Sequence, residues 1–185
     1  MKSIVDLRDY EPKPDQSLER VNFSFLDIET TGLRADRGAK ITEVAILDRD
    51  SEIFYWKKED LNATNDALIF HLPFIIKVLK KGVVVGHNIT FDLSFISYML
   101  EKYDYKGLEV LFIDTLSLAE NILRKRSSYR LASLLKYFDI SIHGSLHTAR
   151  VDAMATRALF WKLLEHGDLY SLKDTGYKRI KWSSY

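Results

Sequence analysis

The chain has 185 residues, of which 46% are hydrophobic, and a formal net charge of +1. That length and apolar content suit one globular domain with a core of its own. The near-neutral balance excludes a protein that grips polyanions through global charge, so a nucleic-acid role has to rest on a local patch and on metal. With no cysteine there is neither a disulfide framework nor a thiolate zinc site, which points to a reducing, cytoplasmic setting. Acids interrupt the first nine residues, unlike a signal peptide, and no apolar run is long enough to span a bilayer.

Three parts are predicted: a lead-in strap or short helix over residues 1–20, a folded domain over 21–166 and a C-terminal tail over 167–185, whose basic and aromatic end suits a flexible tail or a partner segment. The domain opens with three strands, 20–27, 41–47 and 52–56, whose short connections suit an antiparallel meander. Asp48-Arg49-Asp50-Ser51 reads as the turn between the last two. Residues 66–81 look helical, with Pro73 either kinking that helix or starting a new one. The apolar runs 83–85 and 110–113 fit strands buried on both faces, as in a parallel sheet. Helices are predicted over 91–101, 115–123, 131–138 and 150–165. Strands first and strand–helix alternation afterwards give an α/β fold: a mixed five-stranded sheet, antiparallel meander then parallel strands, with helices on both faces.

The most informative residues close the first strand. Asp27-Ile28-Glu29 puts two carboxylates two positions apart, so they share one face of the strand at roughly 7 Å. Held at the inner end of an apolar strand, they persist only with positive charge between them. A divalent cation, which prefers oxygen ligands, is the natural candidate. Asp92 falls in the first turn of a helix that is apolar nearly all round; alone it suits the helix dipole, but it is hard to leave in bulk water. Asn88, four residues earlier, either shares its face or caps the helix. Asp152 lines up with Ala155, Thr156, Leu159 and Leu163 on the core-facing stripe of the last long helix. His147 is five residues before it, about 140° away around a continuous helix. The two converge only if His147 belongs to the loop before the helix, where a mobile imidazole suits a general base. Taken together, the four carboxylates are balanced by two divalent cations.

Asp27-x-Glu29-Thr30-Thr31-Gly32, His87-Asn88-x-x-Phe91-Asp92 and His147-x-Ala149-x-x-Asp152 resemble the three motifs of the DEDDh 3′–5′ exonucleases, in order and rough spacing, across residues 23–164. The tyrosine that marks the other branch, four residues before the last Asp, is Thr148 here. The resemblance implies a ribonuclease H-like fold and a domain of DNA polymerase III epsilon or ribonuclease T type. It implies that Asp27, Glu29 and Asp152 hold two divalent ions, Mg²⁺ or Mn²⁺, with Asp92 joining directly or through water, and that His147 deprotonates the attacking water. Leu33 and the backbone around Thr30 and Thr31 are expected to hold the terminal nucleotide, and Asn88 to position the substrate. His87 is read as structural or substrate-facing, and Asp114 as a helix cap. The short 56–81 stretch departs from longer relatives, which bears on substrate length. The basic cluster Arg124-Lys125-Arg126-Ser127-Ser128-Tyr129-Arg130 suits phosphate contacts or a solvated surface equally.

Three functions follow. The first is a DNA 3′–5′ exonuclease, acting alone or as a proofreading polymerase subunit, on nucleic acid with a free 3′ end and foremost single-stranded DNA. The second is an RNA 3′-end trimming enzyme with the same chemistry. The third is a non-catalytic binding module, which the presence of all four acids and the histidine argues against.

Overall fold

The antiparallel half of the sheet forms first in the chain. In the computed structural model, which describes residues 11–59, 67–105 and 109–181, β1 (Phe23–Thr30), β2 (Ile41–Leu47) and β3 (Glu52–Lys57) pair as the expected meander. The β2–β3 turn is built by Asp48, whose carboxylate accepts the N–H groups of Asp50 at 2.9 Å and Ser51 at 2.6 Å. The parallel half follows. β4 (Val83–Gly86) runs beside β1, and β5 (Glu109–Asp114) beside β4.

Helices make the crossovers. A 3-10 turn at Ala67–His71 leads into α1 (Leu72–Leu79) before β4, and α2 (Ile89–Lys102) links β4 to β5. Pro73 lies in the first turn of α1, where its missing N–H forfeits no intrahelical bond. It therefore starts a helix and does not kink one. Asp66, the predicted start of that segment, lies outside the described residues. Then come α3 (Thr115–Ile122), α4 (Leu131–Tyr137) and α5 (Ala149–His166).

Alternation along the strands sorts the core into two layers. Phe23, Phe25, Ala45, Val83, Val85 and Ile113 pack under α3, α4 and α5. Leu26, Ile28, Val44, Ile46, Val84 and Phe112 pack under α1 and α2. β4 is buried on both faces, which is why its three valines run without a polar break.

The sheet has six strands, in the order β3-β2-β1-β4-β5-β6, and not five. The additional one, β6 (Lys178–Lys181), comes from the predicted tail and pairs antiparallel along the outer edge of β5. Arg179 fastens it, bridging Glu11 at 2.7 Å and Glu109. The segment reads as a polar tail because an edge strand keeps its lysines in water, where they discourage further pairing. Upstream, Leu18–Arg20 forms a single 3-10 turn. The strap before it is tied to the C-terminal segment by Leu18 N–H to Tyr170 O at 3.1 Å and Leu172 N–H to Gln16 O at 3.0 Å. Residues 1–10 and 182–185 of the predicted strap and tail lie outside the described residues. Among the described residues no helix is long and apolar enough to cross a membrane.

Candidate active site

The alternation that sends Phe23 and Phe25 toward α5 continues into Asp27 and Glu29. These carboxylates therefore leave β1 on the same face, at its carboxyl end. The β1–β4 ladder stops at Phe25↔Val85, so β1 loses its neighbour on that side and a crevice opens where ligands bind in open α/β sheets.

Asp92 enters this crevice from the first turn of α2. It is 5% exposed, and its Oδ1 accepts the Ile28 N–H at 2.9 Å, a donor that lies past the end of the ladder. Gly86 makes the approach feasible: a Cβ there would stand 2.3 Å from Ile89 Cδ1, so β4 can hand over to α2 this tightly only without a side chain.

Asp152 comes from the opposite face, in the first turn of α5. His147 lies outside that helix, on the loop before it, as convergence requires. Its backbone is left-handed, at φ 77°, which turns its N–H toward Asp152 Oδ1 at 3.2 Å and Oδ2 at 3.3 Å. The imidazole stays exposed.

One carboxylate oxygen from each of Asp27, Glu29 and Asp152 lies within 4.8 Å of the others. Asp92 stands behind this trio and is not part of it. Burial, and then the charges of Asp92, Asp152, Glu29 and Glu43, hold the Asp27 carboxyl well above the usual range. Burial also raises Glu29 and Asp152, with the His147 N–H working against it at Asp152. Burial pushes Asp92 up to about 8, opposed by the Ile28 N–H. Carboxyls that resist ionising while crowded together, all offering hard oxygen donors, are a fit for divalent cations.

The remaining predicted residues make local contacts of their own. Thr30 Oγ1 donates to Gly32 O at 2.7 Å. The Thr31 N–H donates to Lys40 O at 2.9 Å, and Thr31 Oγ1 accepts the Lys40 N–H at 2.9 Å. Thr31 thus closes the 31–40 loop and Thr30 fastens its first turn, and the loop carries Leu33 outward at 84% exposure. Asn88 occupies the N-cap position of α2 at φ 63° but makes no side-chain cap bond; its side chain is exposed and its N–H donates to Asp114 Oδ1 at 2.8 Å. Asp114 is the helix cap expected of it, accepting the Leu116 N–H at 3.1 Å. His87 turns inward, with Nδ1 2.9 Å from Thr115 Oγ1; burial lowers its pKa, the state of a structural histidine. In the basic cluster, Arg126 folds back over the Tyr137 ring at 4.0 Å, while Arg124, Lys125 and Arg130 are exposed.

One residue of this environment escaped the sequence reading. Glu43 stands directly opposite Glu29 in the β1–β2 register and is 6% exposed. Its signal is an acid two positions before Ala45 and four before Leu47, on the strand face those residues bury.

A family model described as Exonuclease (RNase_T) matches residues 59–160, more than half of the chain. The match includes Asp92, His147 and Asp152, while β1 precedes it. The chain is similar to a PolC-type DNA polymerase III of Oceanobacillus iheyensis, 30% identical over 171 residues, which cover 82% of this chain and 12% of the relative. It is also similar to the 3′-5′ exonuclease DinG of Bacillus subtilis, 27% identical, covering 80% of this chain and 18% of DinG. The chain thus spans under a fifth of the length of either relative. Among solved structures, Exonuclease X in complex with 5′ overhanging duplex DNA shares the fold, at a TM-score of 0.56 and 18% identity over 83% of this chain and 98% of that one. The three motifs fall on β1, the start of α2 and the start of α5, in the order this fold requires, and the chain belongs to the DEDDh-type 3′–5′ exonuclease family.

Proposed function

We propose that this chain removes nucleotides from DNA 3′ ends, releasing nucleoside 5′-monophosphates, and that it serves as a proofreading nuclease unit beside a polymerase. The observation that carries this reading is the meeting of Asp27, Glu29 and Asp152 oxygens within 4.8 Å, drawn from β1 and from the helix that covers that face of the sheet. Asp27, Glu29 and Asp152 hold the divalent ions, two of Mg²⁺ or Mn²⁺, and Asp92 braces them from behind. Divalent ions held by these carboxylates would supply positive charge against the phosphate and the departing 3′-oxygen. His147 presents an exposed imidazole that takes the proton of the attacking water, while its N–H pins Asp152. Leu33, exposed on the loop that Thr31 closes, offers an apolar face to the terminal base. The exposed Asn88 amide offers hydrogen bonds to the same nucleotide.

Likeness to a PolC-type polymerase supports the polymerase setting, and likeness to a structure holding 5′ overhanging duplex DNA supports a DNA 3′ end as substrate. The test is digestion of 5′-labelled single-stranded, paired and mismatched DNA beside matched RNA, with Mg²⁺ or Mn²⁺ and with chelator. The expected result is a ladder shortened one nucleotide at a time on DNA, absent with chelator and absent in Asp27→Ala at unchanged circular dichroism. Turnover by Asp27→Ala overturns the site. Faster trimming of RNA moves the substrate to RNA, and binding without hydrolysis makes the chain a binding module.

A further inference from the structure

β3 reaches the site without lending it a metal-binding carboxylate. The registers set Glu29 opposite Glu43 and Glu43 opposite Lys57, on the face that α5 covers. Two carboxylates directly opposite across antiparallel strands repel, and Glu43 is too buried to turn to water. Lys57 Nζ meets it at 2.6 Å and the Tyr55 hydroxyl donates to it at 3.3 Å. The ring of that tyrosine lies under the Arg150 guanidinium, 3.9 Å from its centroid. Arg150 in turn donates to both oxygens of Glu52, at 2.7 and 3.1 Å.

Arg150 sits in the first turn of α5, three residues after His147 and two before Asp152. Two positions along a helix are about 200° apart, so Arg150 points away from the carboxylate of Asp152 and holds the helix end from its other side. The pair with Glu52 is half-exposed, and exposed ion pairs contribute little to stability, about 0–1 kcal/mol. A planar fork on a carboxylate, stacked on an aromatic ring, contributes orientation instead. We propose that Arg150, seated between Tyr55 and Glu52, is a positioning residue that sets where Asp152 and the His147 loop stand relative to Asp27 and Glu29. The inference rests on the reading of Asp27, Glu29 and Asp152 as the cation-binding set.

The experiment is Mn²⁺ titration of the full chain without nucleic acid, followed by electron paramagnetic resonance of the free ion. Arg150→Ala is expected to raise the half-saturating Mn²⁺ concentration about 10-fold, the scale seen when groups that orient metal ligands are removed, with the melting temperature nearly unmoved. Glu52→Ala shifts it the same way, and the double variant is no worse than the worse single one, since the two act as a unit. Arg150→Lys falls between, keeping the charge but losing the fork. Mn²⁺ binding equal to the parent in a folded Arg150→Ala overturns the inference alone. If that variant does not fold, Glu52→Ala decides, and parental Mn²⁺ binding there overturns it equally. A parent chain that binds no Mn²⁺, or an Asp27→Ala chain that binds it undiminished, overturns the cation-site reading and the inference with it.

Discussion

His147 holds two duties in two parts of one residue. Its main chain, at φ 77°, fastens Asp152, and its imidazole is free for the proposed proton transfer. A left-handed backbone disfavours a side-chain-bearing residue by about 1 kcal/mol and suits glycine. The two duties should therefore separate on substitution. His147→Ala loses the base, with a fall in rate of about 10²- to 10⁴-fold, while Mn²⁺ binding and the circular dichroism spectrum stay parental. His147→Gly loses the same rate but melts no lower than His147→Ala, since it relieves the backbone. A His147→Ala chain cleaving at the parental rate at neutral pH refutes the base. The residues most legible in the sequence are those whose direction follows from local geometry alone. Asp27 and Glu29 share a face because a strand has period two, and His147 had to leave the helix because of the helical turn angle. The bond from Ile28 to Asp92 could not be read, because it depends on where β4 stops pairing with β1. Glu43 went unnoticed because a lone acid in a strand reads as solvent-facing until its register partner is known.

The handover from β4 to α2 is the element on which Asp92 depends. Gly86 leaves room for Ile89, which is fully buried, and Ile89 begins the turn that carries Asp92. Adding a methyl group forces Ile89 to shift in a packed core, an overpacking that costs roughly 1–3 kcal/mol. Gly86→Ala should therefore melt about 2–12 °C below the parent by circular dichroism, with nuclease activity falling further than stability because Asp92 moves with the turn. An unshifted melting curve would show that the core yields there at no cost. Elements with a strong period are recovered from sequence within a residue or two: α5 was expected over 150–165 and runs Ala149–His166. The misses share a cause in their dependence on distant partners. β6 becomes a strand only because β5 presents an open edge, and the predicted helix over 66–81 holds a 3-10 turn before α1.

At the scale of the molecule, the site is a strain on the metal-free fold. A carboxyl whose pKa is raised in the folded state binds its proton more tightly there than when unfolded. Its contribution to stability is complete below the unfolded pKa, about 4, and is lost as pH rises through the folded one. Asp92, near 8, carries that loss on through neutral pH to about 8, and Asp27, held well above the usual range, adds to it in the same direction. Groups shifted the other way act elsewhere. Asp36, Asp48 and Asp174 are lowered, so their stabilisation is complete by about pH 5. His87 is lowered by burial, so its contribution grows as the unfolded imidazole loses its proton at about 6.5 and is complete about one pH unit higher; a single group, it offsets only part of the loss from the acids. Between pH 6.5 and 8.5 the acids of the site therefore dominate. In chelator, the melting temperature should fall across that interval, by roughly 2–4 °C for each kcal/mol lost. A divalent cation binds the ionised acids and not the protonated ones, so it stabilises the fold by an amount that grows with its concentration over Kd and with pH. Millimolar Mg²⁺ should flatten or reverse the fall, and Asp92→Asn, an amide that can still accept the Ile28 N–H, should reduce it in chelator. Melting curves that are level from pH 6.5 to 8.5 in chelator and unmoved by Mg²⁺ would mean that these carboxyls ionise in the fold as freely as in water, and that the crevice is not built around cations.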